Sequence, residues 1–322
     1  MSGDPVDRGR WSELSRACAA VLGAPGSAVR VEEPLGPRTT YRVGGAARVL
    51  VEVDAVDDLA ALASVVAPTD LPVLVVGRGS NLLVADAGFD GVAVVLGPAF
   101  TTVDVDGTTV VAGGAALLPV VARRTAQAGL RGFEWAVGVP GTIGGAVRMN
   151  AGGHGADMRA ALRDAVVVDL GEPGARPVTR PAASLDLAYR RSTLRSREIV
   201  VQARLELREG SRGDAEAVVA EVVTWRREHQ PGGANAGSVF TNPPGDSAGR
   251  LIDAAGGRGL RIGSAEVSTK HANFIQADPG GSAADVWAVM DAVRRLVVGA
   301  GGPSLEPETV LVGLPPLPEV AA

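Results

Sequence analysis

The sequence predicts an α+β protein of two or three domains, and three observations carry that expectation. The chain has 322 residues, too many for one small domain. Through its first two thirds, apolar alternation and hairpin signals mark strands, with short amphipathic helices between them. After Arg208 the pattern changes to longer helices separated by polar, small-residue stretches. A hydrophobic fraction of 46% and a charged fraction of 21% suit packed cores and argue against disorder. The formal net charge of −5 comes without a block of Lys or Arg, so nucleic acid is not expected as a partner. Cys18 is the single cysteine, which excludes an intramolecular disulfide and a thiolate metal cluster. His154, His229 and His271 lack zinc spacing, so no metal site is expected. Met1 to Pro5 is polar, and no apolar run reaches the roughly 18 residues of a membrane span. A cytoplasmic protein without membrane insertion is the expectation.

In chain order, Trp11 to Leu22 has helical spacing and ends at Gly23. Val49, Val51 and Val53 alternate as a strand, and Asp57 to Val66 reads as a short helix with an acidic start. Pro72 to Val76 is a buried-type strand that runs into Gly77-Arg78-Gly79-Ser80-Asn81. Asp106-Gly107 signals a hairpin between Thr102–Val105 and Thr108–Ala112. Leu117 to Ala128 is expected as a helix with Val120, Val121, Ala126 and Ala128 inward, delivering the chain to the run Gly138 to Ala146. A second hairpin runs from Ala165–Leu170 to Pro177-Val178, and Ile199 to Leu207 is a long strand. Arg208 to Asp214 reads as a polar connector and domain boundary. Asp214 to Gln230 follows as a helix with Val218, Val219, Val222, Val223 and Trp225 on its apolar side. Ala248 to Ala255 is a short helix, and Arg261 to Ile275 carries two strand-like runs. Ala283 to Val298 is the last helix, and Leu305 to Gly313 gives a terminal strand.

The glycine-rich run Gly138-Val139-Pro140-Gly141-Thr142-Ile143-Gly144-Gly145-Ala146 is where main chain, rather than side chains, offers a binding surface. Unhindered N–H groups held stiffly around Pro140 suit a diphosphate. Gly77 to Asn81 is a second such turn. Its strand-then-G-x-G order invites a Rossmann reading, but Leu82 stands where the third glycine belongs, and no acidic residue follows about 20 positions on. A P-loop fails for want of G-K-[ST]. Two polar-glycine turns therefore point to a dinucleotide cofactor held outside both familiar nucleotide folds, and such a cofactor is the economical source of difficult chemistry.

Thr40-Tyr41-Arg42-Val43-Gly44-Gly45, Gly77 to Leu83 and Gly138 to Gly145 resemble the FAD-binding domain of the vanillyl-alcohol oxidase type, with its two α/β subdomains. With Tyr189-Arg190-x-Ser192, Gly237-Ser238-Val239-Phe240-x-Asn242-Pro243, Ser268 to Phe274 and Leu305 to Glu308, the ordered set is similar to the UDP-N-acetylenolpyruvoylglucosamine reductase family, from about Thr39 to Gly313. The resemblance implies non-covalent FAD, NADPH as reductant and the enolpyruvyl ether of a UDP-sugar as substrate, in a monomer making a peptidoglycan precursor. It implies an N-terminal helix and tail over 1–24 and a FAD-binding domain over 25–207, with subdomains about 25–97 and 98–207. A C-terminal α+β substrate-binding domain over 208–302 and a returning strand and tail over 303–322 complete it.

For the cofactor the resemblance marks Tyr41, Arg42, Gly77, Arg78, Gly79, Ser80, Asn81, Gly138, Pro140, Gly141, Thr142, Gly144, Gly145 and Ala146. Ser238 is implied as proton donor, with Arg190 and Glu308 stabilising the enolate that forms after hydride addition. Tyr189, Asn242 and Lys270 are implied substrate contacts. Each has a plainer alternative: a helix-cap or turn serine, a surface ion pair for Arg190 in a stretch crowded by Arg191 and Arg195, a solvated carboxylate beside Glu306, turn residues at 189 and 242, and a surface lysine. The chain departs from the family pattern at Arg226 to Pro231, where relatives carry a lysine, at Arg191 and at Thr309. The short interval from Arg190 to Ser238 resembles the subclass without a tyrosine lid. A flavin oxidase tethering its cofactor through His154, and a nucleotide-sugar binding module without cofactor, are the competing readings.

Overall fold

Val103–Asp106 pairs antiparallel with Thr109–Gly113, Asp106 opposite Thr109, so the hairpin signal is realised. Gly107 takes the left-handed φ of +56° that such a tight turn demands. In the computed structural model, residues 5–320 are described; the polar start Met1 to Asp4 and the pair Ala321-Ala322 lie outside the described residues. This hairpin is one edge of a five-stranded sheet in the order Val178–Pro181, Leu162–Asp169, Glu198–Glu206, Thr109–Gly113, Val103–Asp106. Every pairing in it is antiparallel. Glu198–Glu206 is central, and from Val201 on it buries Val201, Ala203 and Leu205 while Gln202, Arg204 and Glu206 face water. That period of two is what a sheet with one covered face requires.

The helix Leu118–Gln127 joins the same core through Leu118, Val121 and Ala122, and Ala126 is buried as well. Val120 and Ala128, both expected inward, are exposed because they fall off that stripe. A four-stranded sheet orders Ala28–Pro34, Ala46–Val53, Phe89–Leu96 and Val73–Val75, the last two parallel. Val49, Val51 and Val53 pack there with Leu59 and Leu62 of the helix Val56–Val66 and with Cys18 of the helix Pro5–Val21. Burial pushes the Cys18 thiol up to about 11, which suits a packing role and not a nucleophile.

Two compact units divide the chain differently from the linear boundaries expected above. One holds the described residues up to Glu33, Arg48–Arg78 and Asp90–Trp225; the other holds Pro34–Ala47, Gly79–Phe89 and the chain from Arg226. The connector expected at Arg208 to Asp214 is structured: Arg208–Glu209 pairs with Leu130–Arg131, and the helix Arg212–His229 begins at once. That helix packs Val218, Val219 and Val222 on the first unit's core, while Val223 and Trp225, also expected inward, are exposed. The division therefore falls inside the helix.

In the second unit, Arg261–Ile262, Ala265–Val267 and Ile275–Ala277 form an antiparallel sheet. The helix Ala283–Gly299 shares its core through Val286, Val289, Met290, Val293 and Val297, as the spacing predicts. Val310–Val312 pairs in parallel with Leu82–Val84, which draws the second glycine turn's strand into this unit. Asp86 reinforces the join: its carboxylate accepts the Ser282 hydroxyl and the Ala283 and Ala284 N–H groups. No described helix is long and apolar enough to cross a membrane.

Candidate active site

Within the first unit, the glycine-rich run is helical over Ile143–Met149, capped by Thr142, whose Oγ1 accepts from Gly145 N–H at 3.4 Å. Its first amides are already engaged. Ile143 N–H donates to Ala116 C=O at 2.9 Å, and Gly144 N–H donates to Gly114 C=O at 2.8 Å. A Cβ on Gly144 would stand 3.1 Å from Gly114 O, so this glycine admits close packing of the helix rather than a ligand. The contrast with the other turn is clear. Among the described residues, none of the main-chain N–H groups from Gly77 to Asn81 has an acceptor. A Cβ on Gly77 would lie 2.6 Å from Thr142 Oγ1, so the first unit places these two turns against one another.

Asn150 ends the helix in the left-handed conformation, with φ of +41°. Its side chain, 1% exposed, donates to Asp157 Oδ2 and to Ala188 C=O, each at 3.0 Å, and accepts Arg159 N–H at 2.9 Å. It thereby ties the helix end to the turn carrying Tyr189 and Arg190. Arg190 is itself left-handed, at φ of +57°, and its Nη2 donates to Gly152 C=O at 3.1 Å. The guanidinium lies 5.0 Å from the centre of the exposed Tyr189 ring. Asn150 is not among the residues that the sequence marks; an Asn one residue past a helix, just ahead of Ala-Gly-Gly, is the available signal. His154 packs edge-on against Trp225 at 4.8 Å, and burial holds its pKa below the ordinary value.

Within the second unit, Gly79 has φ of +61°, and a Cβ there would stand 2.4 Å from Arg38 O. Thr40 N–H donates to Gly79 C=O at 3.3 Å. Arg42, at φ of +59°, donates its N–H to Thr39 Oγ1. Tyr41 is fully buried, its pKa raised by that burial, and its hydroxyl, like Thr40 Oγ1, is a buried oxygen with no partner among the described residues. Unspent amides and orphaned buried hydroxyls are what a cofactor rich in phosphate and heterocycle acceptors would satisfy. The residues present therefore fit FAD.

The same unit brings Asn81, Ser238 and Glu308 onto adjoining stretches. Asn81 Nδ2 donates to Glu308 C=O at 3.0 Å, and Val310 N–H donates to Asn81 C=O at 2.9 Å. Glu308 N–H donates to Val239 C=O at 2.7 Å, beside the half-buried Ser238. Glu308 is half-buried, whereas Glu306 is exposed and uses its carbonyl on Thr241 N–H. Asn242 and Lys270 do local structural work: Asn242 Oδ1 accepts Ala248 N–H at the start of the helix Ala248–Ala254, and Lys270 Nζ donates to Arg227 C=O. Among the described residues no group of three or more His, Cys, Asp or Glu is arranged to hold a metal.

His271 Nδ1 accepts Asn273 N–H at 3.2 Å, and burial, then the Arg258 charge, depresses its pKa below the ordinary 6.5. Folding thus favours the neutral ring. The unfolded chain binds the proton more readily, so this contribution is complete above about 6.5 and is lost as pH falls through the folded value. Melting curves from pH 8 to 5 should show the midpoint falling below about pH 6.5, with a shallower fall in His271→Gln. Identical slopes would remove His271 as the cause.

A family model described as FAD binding domain matches residues 47–169, and one described as UDP-N-acetylenolpyruvoylglucosamine reductase, C-terminal domain, matches residues 229–312. The UDP-N-acetylenolpyruvoylglucosamine reductase of Heliobacterium modesticaldum is 44% identical over 285 residues, 88% of this chain and 90% of that protein. Reductase 2 of Symbiobacterium thermophilum is 40% identical over 94% of this chain and 97% of its own. A crystal structure of the Thermus caldophilus reductase superposes with a TM-score of 0.77 at 37% identity, covering 88% of this chain and all of that one. Likeness of this extent spans the cofactor and C-terminal domains together, and the chain belongs to the UDP-N-acetylenolpyruvoylglucosamine reductase family of FAD-dependent oxidoreductases of peptidoglycan precursor synthesis.

Proposed function

We propose that the protein reduces UDP-N-acetylglucosamine-enolpyruvate to UDP-N-acetylmuramate, with NADPH as reductant and FAD held non-covalently. FAD, when bound, supplies the hydride relay from NADPH to the terminal alkene carbon. A hydride and a proton saturate the double bond, NADP⁺ leaves, and the chain's own residues manage the charge between those two additions. Arg190 stabilises the negative charge that develops on the carbon bearing the carboxylate, and Glu308 does so as the carboxylic acid, since a carboxylate would repel it. Ser238 delivers the proton to that carbon. Gly77 to Asn81, Tyr41, Arg42 and, from the glycine-rich run, Gly138, Pro140, Gly141, Thr142, Gly144, Gly145 and Ala146 would hold the cofactor. Tyr189, Asn242 and Lys270 contact the UDP-sugar.

The observation that supports the catalytic assignment is the bond from Glu308 N–H to Val239 C=O, which sets the carboxyl's chain against the serine's. A visible spectrum tests the whole reading. The yellow flavin should bleach on adding NADPH without oxygen and regain its colour on adding the enolpyruvyl UDP-sugar. A flavin that stays bleached with that substrate overturns the reading, and yellow colour retained in an acid-precipitated pellet overturns non-covalent binding. Glu308→Gln is expected to lower turnover with FAD retained, because an amide N–H is a weaker donor than a carboxylic acid O–H, by up to the roughly 10²-fold cost of removing a stabilising donor outright. Glu306→Gln should leave turnover unchanged; the reverse ranking would transfer the role to Glu306.

A further inference from the structure

Asn273 is 3% exposed, and its whole side-chain amide is used on one neighbour. Oδ1 accepts Phe240 N–H at 3.0 Å, and Nδ2 donates to Phe240 C=O at 2.8 Å. Its own carbonyl accepts Val239 N–H at 2.9 Å. These are the bonds that a flanking β-strand would supply, made here by one side chain and one peptide. On the opposite edge, Val239 C=O accepts Glu308 N–H at 2.7 Å and Thr309 N–H at 3.3 Å, and Thr241 N–H donates to Glu306 C=O at 2.9 Å. Phe240 also forms an antiparallel bridge with Pro307. Residues 239–241 are therefore clamped from both sides, and Ser238 is the residue that enters the clamp.

We propose that Asn273 is a positioning residue for proton delivery: it fixes the main chain of Val239 and Phe240, and through it the direction of the Ser238 hydroxyl beside Glu308. The inference rests on Ser238 being the proton donor. An alcohol is a weak acid, so its contribution depends on distance and angle, and a displacement of about 1 Å can cost about 10²-fold. Packing alone does not call for an amide here. Any apolar side chain of like volume would fill the space, but it would leave the buried N–H and C=O of Phe240 without partners. Asn273 is held in turn by its N–H on His271 Nδ1 at 3.2 Å, and the His271 ring packs edge-on against Phe274 at 4.8 Å.

Asn273→Asp keeps the volume and the acceptor while removing the donor to Phe240 C=O; Asn273→Ala removes both. Each would be followed as the FAD-loaded protein through its two half-reactions, flavin reduction by NADPH and reoxidation by the enolpyruvyl UDP-sugar, with flavin content measured alongside. Asn273→Asp should slow reoxidation about 10²-fold, leaving reduction and flavin content at wild-type values. The double variant with Ser238→Ala should reoxidise no more slowly than Ser238→Ala alone, because no donor is left to position, whereas general damage would multiply the two losses. Loss of flavin in both variants, slowing of both half-reactions together, or multiplicative losses in the double variant would overturn the inference. Slow reoxidation by Ser238→Ala with normal reoxidation by Asn273→Asp would remove Asn273 alone. Wild-type reoxidation by Ser238→Ala would remove the donor assignment, and this inference with it.

Discussion

Ser238→Ala protein is expected to accept electrons from NADPH at the wild-type rate and to pass them to the enolpyruvyl UDP-sugar about 10²–10⁴ times more slowly, the range typical for a lost general acid. The asymmetry follows from where the proton enters. Flavin reduction by a nicotinamide needs no acid on the sugar side, so the serine has no part in it. Saturation of the alkene needs both a hydride and a proton, and the charge left by the first must be quenched by the second. Ser238 is a small side chain and only half-buried, so losing its hydroxyl leaves no large cavity, and the protein should still fold and bind FAD. Stopped-flow absorbance of the flavin reads the two steps separately. Equal slowing of both would end the assignment of Ser238 as donor, and an unchanged second step would end it as surely.

Gly79→Ala is expected to be the most damaging small substitution in the cofactor loop. Two costs add there: φ of +61°, which an L side chain tolerates at about 1–2 kcal/mol, and a Cβ placed 2.4 Å from Arg38 O and 2.7 Å from Thr39 Cα. The second cost falls on main chain, which cannot rotate away, and overpacking of this kind adds about 1–3 kcal/mol. Gly107 is the natural control, since its φ of +56° is similar but nothing lies within 4 Å of its Cβ position. Gly107→Ala should therefore show a modest drop in melting temperature and normal flavin content. Gly79→Ala should melt lower still and lose at least about tenfold in FAD affinity, equivalent to about 1.4 kcal/mol. Similar melting and similar flavin content in the two variants would show that close approach to Arg38 and Thr39 is not required.

Legibility in the sequence followed the range of the interaction. The Asp106-Gly107 turn, the alternation at Val49, Val51 and Val53, and the stripe Val286, Val289, Met290, Val293 and Val297 all report local periods, and all are realised. The same logic failed where a local period met an unforeseen neighbour. Val120, Ala128, Val223 and Trp225 fit an apolar stripe on paper, yet the partner surfaces cover only other members of those stripes, Val121 in one helix and Val218, Val219 and Val222 in the other. The connector expected after Arg208 became a strand pair because Leu130–Arg131 offers it an edge.

Composition and ordered motifs by themselves determined the family, the α+β class and the two glycine turns, because those are properties of residue types at fixed spacing. They could not say which turn keeps its amides for a ligand. Both runs carry the same kind of glycine, but Ala116 and Gly114 carbonyls accept from Ile143 and Gly144, while no described acceptor reaches the main-chain N–H groups of Gly77 to Asn81. Nor could they show that Asn150 and Asn273 hold the two stretches bearing Arg190 and Ser238, since a buried amide and an exposed one are the same letter. Hydrogen-bond satisfaction is settled by groups far apart in the chain, and only the tertiary structure decides which of them meet.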